Sequence, residues 1–161
     1  MRQKVKPDQN IHSYAKPELR LWLRLLTCTN LVEGEIRRRL RQEFATTLPR
    51  FDLLAQLDRT SGGLTLTELS NRMMVSNGNL TGLADRLVGD NLVERLPDPD
   101  DGRSTRVALT ALGKKHFDAM TPAHESWING MLEGLDKDDI GHLHHLLGKL
   151  KISANPGGTA W

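Results

Sequence analysis

Apolar positions recur at three- and four-residue steps through Leu21, Leu25, Cys28, Val32, Ile36, Leu40 and Phe44. That spacing lays one stripe along a long helix. Pro17 suits its first turn, where a helix leaves backbone amides unbonded in any case. Trp22, Leu26 and Leu31 widen the apolar surface beyond one face. The widening predicts burial against more than one neighbour, either inside a monomer or against a second chain. The pattern breaks at residues 47–49, and Phe51, Leu54, Ala55 and Leu57 make a shorter helical run that ends before Ser61-Gly62-Gly63. Thr65-Leu66-Thr67-Glu68 has the form of a capping box and predicts a helix running to about Met73 or Met74. Ser76 caps a further helix whose apolar stripe is Leu80, Leu83, Ala84 and Leu87.

The period then changes. Leu92-Val93-Glu94-Arg95-Leu96 and Thr105-Arg106-Val107-Ala108-Leu109 read as two strands joined by a Pro, Asp and Gly turn, which is a hairpin. Thr110 caps the next helix, which carries Leu112, Phe117, Met120, Trp127, Ile128, Met131 and Leu135, with a kink or break expected at Thr121-Pro122. A final helix opens near Asp136 and aligns Ile140, Leu143, Leu147 and Leu150. The order predicts a mainly α protein with a small β-hairpin wing: a winged helix-turn-helix over residues 46–112, flanked by long helices over 17–45 and 113–152 that are candidates for dimerisation. Residues 1–16 read as a flexible arm and 153–161 as a flexible tail.

Composition narrows the class without naming a task. The chain has 161 residues, 38% hydrophobic and 26% charged, which is enough for one globular domain with a real core. One cysteine excludes an internal disulfide framework and a four-thiolate zinc site. No apolar run is long enough to span a bilayer, so no membrane partner and a cytoplasmic location are expected. A net charge of +2 permits a polyanionic partner without requiring one.

Candidate chemistry sits opposite the apolar stripe of the Ser76 helix. Asn77, Gly78, Thr81, Gly82 and Asp85 project there, and each of the two glycines weakens a helix by about 1 kcal/mol relative to alanine. Such a face suits a helix entering the major groove of double-stranded DNA, with Asn77, Asn79 and Thr81 meeting base edges or phosphates. A polar solvated face that tolerates glycine is the alternative. At the hairpin tip, Arg103 is placed to enter the minor groove, and Asp101 is expected to hold its guanidinium in a charge-assisted pair. The alternative there is an ordinary exposed ion pair.

These residues resemble the MarR family of bacterial winged-helix regulators. The resemblance rests on L-T-x-x-E-L-S, M-V-S-N-G-N-L-T-G-L-A-D-R-L, G-D-N-L-V-E-R and D-x-D-D-G-R-S-T-R-V-A-L-T-x-x-G, and spans about Phe51 to Gly113. It implies a homodimer on a palindromic operator, commonly a repressor released by a small ligand. Ser76 to Arg86 would then be the recognition helix, with Arg103 the wing-tip arginine and Asp101 its support. The acids Asp98, Asp100 and Asp101 depart from the more basic wing usual in the family.

The blocks L-R-L-W-L-R-L-L and T-T-L-P-R-F-D-L-L-A resemble a subgroup linked to aromatic-acid catabolism, which implies an aromatic acid or aromatic acyl-coenzyme A effector. The family's usual pocket, between the pairing helices and the winged region, points to Trp22, Leu25, Phe51, His116 and Met120. Plain core packing is the competing reading for each. Arg20, Arg24 and the Arg37-Arg38-Arg39 cluster are candidates for a coenzyme A phosphate, against a solvated basic face. A constitutive DNA-binding or protein-interaction module with no ligand is the second functional class. His142, His144 and His145 lie close in sequence but have no evident third ligand, so no metal or other cofactor is expected. His116 and His124 are two helical turns apart, yet no motif assembles a catalytic set, so the chain is not read as an enzyme.

Overall fold

The computed structural model describes residues 16–157. Six helices occur there: α1 (Pro17–Phe44), α2 (Leu48–Asp58), α3 (Leu66–Met73), α4 (Asn77–Gly89), α5 (Ala111–Met131) and α6 (Lys137–Ala154). The strands are β1 (Leu64–Thr65), β2 (Val93–Pro97) and β3 (Thr105–Leu109). The sequence-predicted arm falls largely outside the described residues, and α6 runs on to Ala154, into the stretch read as a tail.

Each predicted start is built as its residues require. Thr65 Oγ1 accepts from the Glu68 amide while the Glu68 carboxylate accepts from the Thr65 amide, which closes the capping box of α3. Ser76 and Thr110 accept from the Asn79 and Gly113 amides at the heads of α4 and α5. Asp136 and Asp139 form a second capping box at α6.

The hairpin has a third strand that the sequence pattern did not reveal. β1 pairs antiparallel with β3 through Leu64↔Val107 and Thr65↔Arg106, and β2 pairs with the other edge of β3 over five residues. A two-residue strand carries no readable alternation, so only the pairing exposes it. Gly63 leads into it with φ of +78°, and a Cβ there would lie 2.5 Å from the Val107 carbonyl oxygen. Gly113 is as constrained, because a Cβ would fall 1.8 Å from the Leu92 carbonyl oxygen where α5 crosses the start of β2.

The core is centred on the winged region and takes in Ile36 and Leu40 of α1 and Phe117, Met120 and Trp127 of α5. Leu53, Leu54 and Leu57 of α2, Leu69 of α3, Leu80, Ala84 and Leu87 of α4, Val93, Val107 and Met120 are all buried. The break expected at Thr121-Pro122 does not occur: α5 is one continuous helix that ends at Met131, before Leu135. Pro122 lies on the exposed side, where water can serve the carbonyl left without an amide, while Phe117, Met120 and Trp127 pin both halves to the core. The outer helices are different. Only Ile36 and Leu40 of α1 are buried, and α6 buries none of its residues.

Candidate nucleic-acid interface

The fold divides α4 into the two faces that its sequence predicts. Leu80, Leu83, Ala84 and Leu87 are at most 7% exposed, whereas Ser76, Asn77, Gly78, Asn79, Thr81, Asp85 and Arg86 are exposed. The first turn holds Asn77 and Asn79, so amide side chains stand at the positive end of the helix dipole, where phosphate oxygens are favoured. Thr81 donates its hydroxyl hydrogen to the Asn77 carbonyl at 2.9 Å and keeps its oxygen lone pairs for an outside donor. A Cβ placed on Gly78 or Gly82 would meet nothing within 4 Å. The protein's own packing therefore does not demand these glycines.

α4 is tied to its neighbours at its C-terminal half. Arg95 of β2 donates to the Asp85 carboxylate at 2.6 Å, joining the outer face of the helix to the hairpin. Arg50 of α2 donates to Asp90 just beyond the last turn of α4 at 2.5 Å. The Asp85 charge, which would repel a phosphate, is thus partnered within the fold.

At the wing the structure corrects one expectation. Asp101 does not hold the Arg103 guanidinium; its carboxylate accepts the Arg103 backbone amide at 3.0 Å, and its carbonyl accepts the Ser104 amide at 2.8 Å. A short side chain two residues before an amide closes an Asx-turn more readily than it reaches a guanidinium pointing outward. Asp101 therefore shapes the tip from which the exposed Arg103 projects.

Asp98 is also internal. It is 8% exposed, accepts from the Asp100 amide at 2.9 Å and pairs with Arg106 Nε at 3.0 Å. Backbone amides first, and then the Arg106 charge, hold its carboxyl below the usual aspartate range. Two of the three wing acids are therefore occupied by the fold. Sequence reasoning missed Arg95 and Arg106; their positions on strands that flank an acid-rich turn were the available signal.

The candidate effector residues do not form one cluster. Arg20 and Arg24, one turn apart on α1, flank an open groove whose lining, Leu21, Leu23, Thr27 and Cys28 included, belongs to α1 alone. Trp22 is exposed on the same helix and Leu25 half-buried. Phe51 and Met120 instead belong to the core, and His116 is half-buried on α5. The imidazole against Phe51 is that of His124, with ring centroids 4.6 Å apart, while Phe117 meets Phe51 from 5.4 Å. Phe117, Met120, His124 and Trp127 follow a three–four–three step, the spacing that could have singled out His124. Arg37 pairs with Glu33, and Arg38 and Arg39 with Glu35, whose carboxyl these hydrogen bonds pull down to about 2. The arginine cluster pairs with acids of its own helix, and Arg39 also stands 5.8 Å from the Trp127 ring of α5.

His142, His144 and His145 are exposed on α6, and no group of three potential ligands that could hold a metal occurs among the described residues. No described helix is long and apolar enough to cross a membrane.

Comparison with known proteins places this geometry. The transcriptional activatory protein BadR of Rhodopseudomonas palustris is 33% identical over 139 residues, covering 83% of this chain and 79% of BadR. A mutant of MarR from E. coli complexed with operator DNA superposes with a TM-score of 0.72 at 26% identity, over 82% of this chain and 94% of that one. CouR from Rhodococcus jostii RHA1, bound to p-coumaroyl-CoA, shares the fold with a TM-score of 0.73 at 19% identity, over 81% and 90% of the two chains. The profile of the MarR family matches residues 46–105, from the head of α2 to the start of β3. Together with the two-faced α4 and the wing beside it, these likenesses show that the chain belongs to the MarR family of transcriptional regulators.

Proposed function

We propose that the chain acts as a homodimeric repressor that binds a palindromic operator and is released by a small aromatic acid or an aromatic acyl-coenzyme A thioester. The observation that carries the DNA reading is the exposed polar face of α4, bound to the wing through Asp85 and Arg95. In it, Asn77, Asn79 and Thr81 meet base edges or phosphates, Ser76 caps the helix, Gly78 admits the backbone, Arg86 contacts phosphate, and Arg103 enters the adjacent minor groove. The effector reading is supported by the α1 groove. Two guanidinium groups beside Leu21 and Leu23 suit a ligand with phosphates at one end and an acyl group at the other. CouR, with p-coumaroyl-CoA bound, offers a fold precedent for that ligand class.

Repression is the commoner sense in the family, but BadR is named an activator. Activation is therefore the second reading, and the two differ in the sign of the transcriptional change on operator binding. The test begins with DNA selected from a random pool by this protein. Wild type and Arg103→Ala are titrated against it across salt, with and without aromatic acids and their coenzyme A thioesters. Arg103→Ala is expected to weaken binding and to lower the salt slope by about one, the signature of one lost phosphate-lined contact. Unchanged affinity and slope would remove Arg103 from the interface. A thioester that releases the DNA would support the effector; tight binding that no compound alters would favour a constitutive module.

A further inference from the structure

Arg106 lies at a distinctive register position. β3 is flanked by both other strands at Arg106, opposite Thr65 on one side and Leu96 on the other, but the next pair outward, Pro97↔Thr105, has no support from β1. Beyond Arg106 the wing continues as two strands and a loop. Its half-buried guanidinium gathers groups from three parts of the fold. Nε donates to Asp98 at 3.0 Å, at the entry to the wing loop; Nη1 donates to the Gly63 carbonyl at 3.2 Å, ahead of β1; Nη1 also stands 3.8 Å from Glu68, in the capping box of α3. Asp98 passes the restraint into the loop through the Asp100 amide, while its own amide donates to the Ser104 carbonyl at 3.0 Å. A planar fork with several fixed donors can bridge such partners in a way that a lysine ammonium cannot reproduce.

We propose that Arg106 is a positioning residue for DNA binding: it clamps the wing against the head of α3 and so fixes where Arg103 meets the duplex. The inference rests on the DNA-binding reading, because the clamp matters to function only if the wing reaches DNA. Without the Arg106 guanidinium, the Asp98 carboxylate is left buried with no cation beside it, and the loop is free to swing.

The experiment is a double-mutant cycle on the selected operator, using wild type, Arg103→Ala, Arg106→Gln and the double variant, all as full chains. Arg106→Gln is expected to cost about tenfold in affinity and to lose hydroxyl-radical protection at the outer minor grooves while keeping that of the central major grooves. In the Arg103→Ala background the same change is expected to cost less than about twofold, because Arg106 acts through Arg103. Independent, additive losses, or an unchanged affinity for Arg106→Gln alone, would overturn the proposal. Asp98→Asn guards against a folding defect peculiar to Arg106→Gln. In both variants the Asp98 and Ser104 amides should exchange hydrogen at least about tenfold faster while core amides of α2 and α5 keep their protection. Unchanged exchange at the wing would overturn the clamp even if DNA binding is weakened. Failure of the wild type to bind any DNA would defeat the functional reading instead, and the exchange comparison would then decide the clamp alone.

Discussion

Asp52 on α2 is half-buried, and burial pushes its carboxyl up to about 6, with the Glu33 carboxylate adding to the rise and the Arg37 guanidinium opposing it. Below about pH 4 the group is protonated in both folded and unfolded chains. Between there and pH 6 the folded chain keeps a proton that the unfolded chain has released, so this group's contribution to stability falls as pH rises. The penalty is fully present above pH 6, and after discounting for solvent screening it is about 1 kcal/mol. Asp52→Asn is therefore expected to raise the melting temperature by about 3 °C at pH 7.5 and by almost nothing at pH 4, as read by thermal denaturation. An equal gain at both pH values would show that packing, not charge, is responsible. His124 pulls the other way. Burial against Phe51 lowers its imidazole pKa, Glu125 opposing, so below the ordinary value of 6.5 the unfolded chain takes up the proton first and stability falls with falling pH. The Asp52 comparison must accordingly be made against wild type at each pH.

At the scale of elements, α4 shows what a sequence can and cannot disclose. Its apolar stripe, its Ser76 cap and its polar face were all legible, because each follows from spacing along one helix. The space around Gly78 and Gly82 was not, since it depends on what the rest of the fold places there; the structure leaves it empty. Replacing both glycines by alanine should thus strengthen the helix by about 1–2 kcal/mol in total with no clash to offset it. If DNA backbone or bases approach that strip, the same variant should bind the selected operator more weakly even as its melting temperature rises. A more stable protein with unchanged operator affinity would mean that the glycines face water. The same division explains the remaining elements. The α3 capping box and the hairpin strands are local patterns and were readable. The β1 pairing, the Asp98–Arg106 bridge, the Arg95–Asp85 bridge and the uninterrupted α5 depend on partners distant in sequence or on which side of a helix meets solvent. Asp101 was misassigned for a related reason: it satisfies a backbone amide two residues away, and sequence alone does not reveal which of two nearby donors wins.

For the whole molecule, the buried core reaches the second half of α1 and runs along α5 as far as Trp127 but leaves the start of α1 and all of α6 uncovered. Leu21, Trp22 and Leu31 of α1 are each more than half exposed, and Ile140, Leu143, Leu146, Leu147 and Leu150 line α6 without burial. An 18-residue helix that buries nothing is marginal in water, because tertiary packing supplies most of a helix's stability. A second copy covering these helices through a two-fold axis would remove the exposed leucines from water and set the two α4 helices for half-sites about 34 Å apart. On that arrangement Leu143→Glu/Leu147→Glu alters four side chains per dimer, and losing their burial alone costs about 6 kcal/mol or more. Sedimentation should then show wild type at twice the chain mass and the variant at the monomer mass at micromolar concentration. Operator affinity should fall with assembly, because one protomer engages one half-site and loses the effective concentration that linkage gives the second. The winged region should remain folded in the variant, since its core of Leu53, Leu69, Leu80 and Val107 shares no residue with α6. A variant that stays dimeric would move the two-fold contact off α6, whereas one that is monomeric yet binds the full palindrome as tightly as wild type would break the link between pairing and half-site spacing.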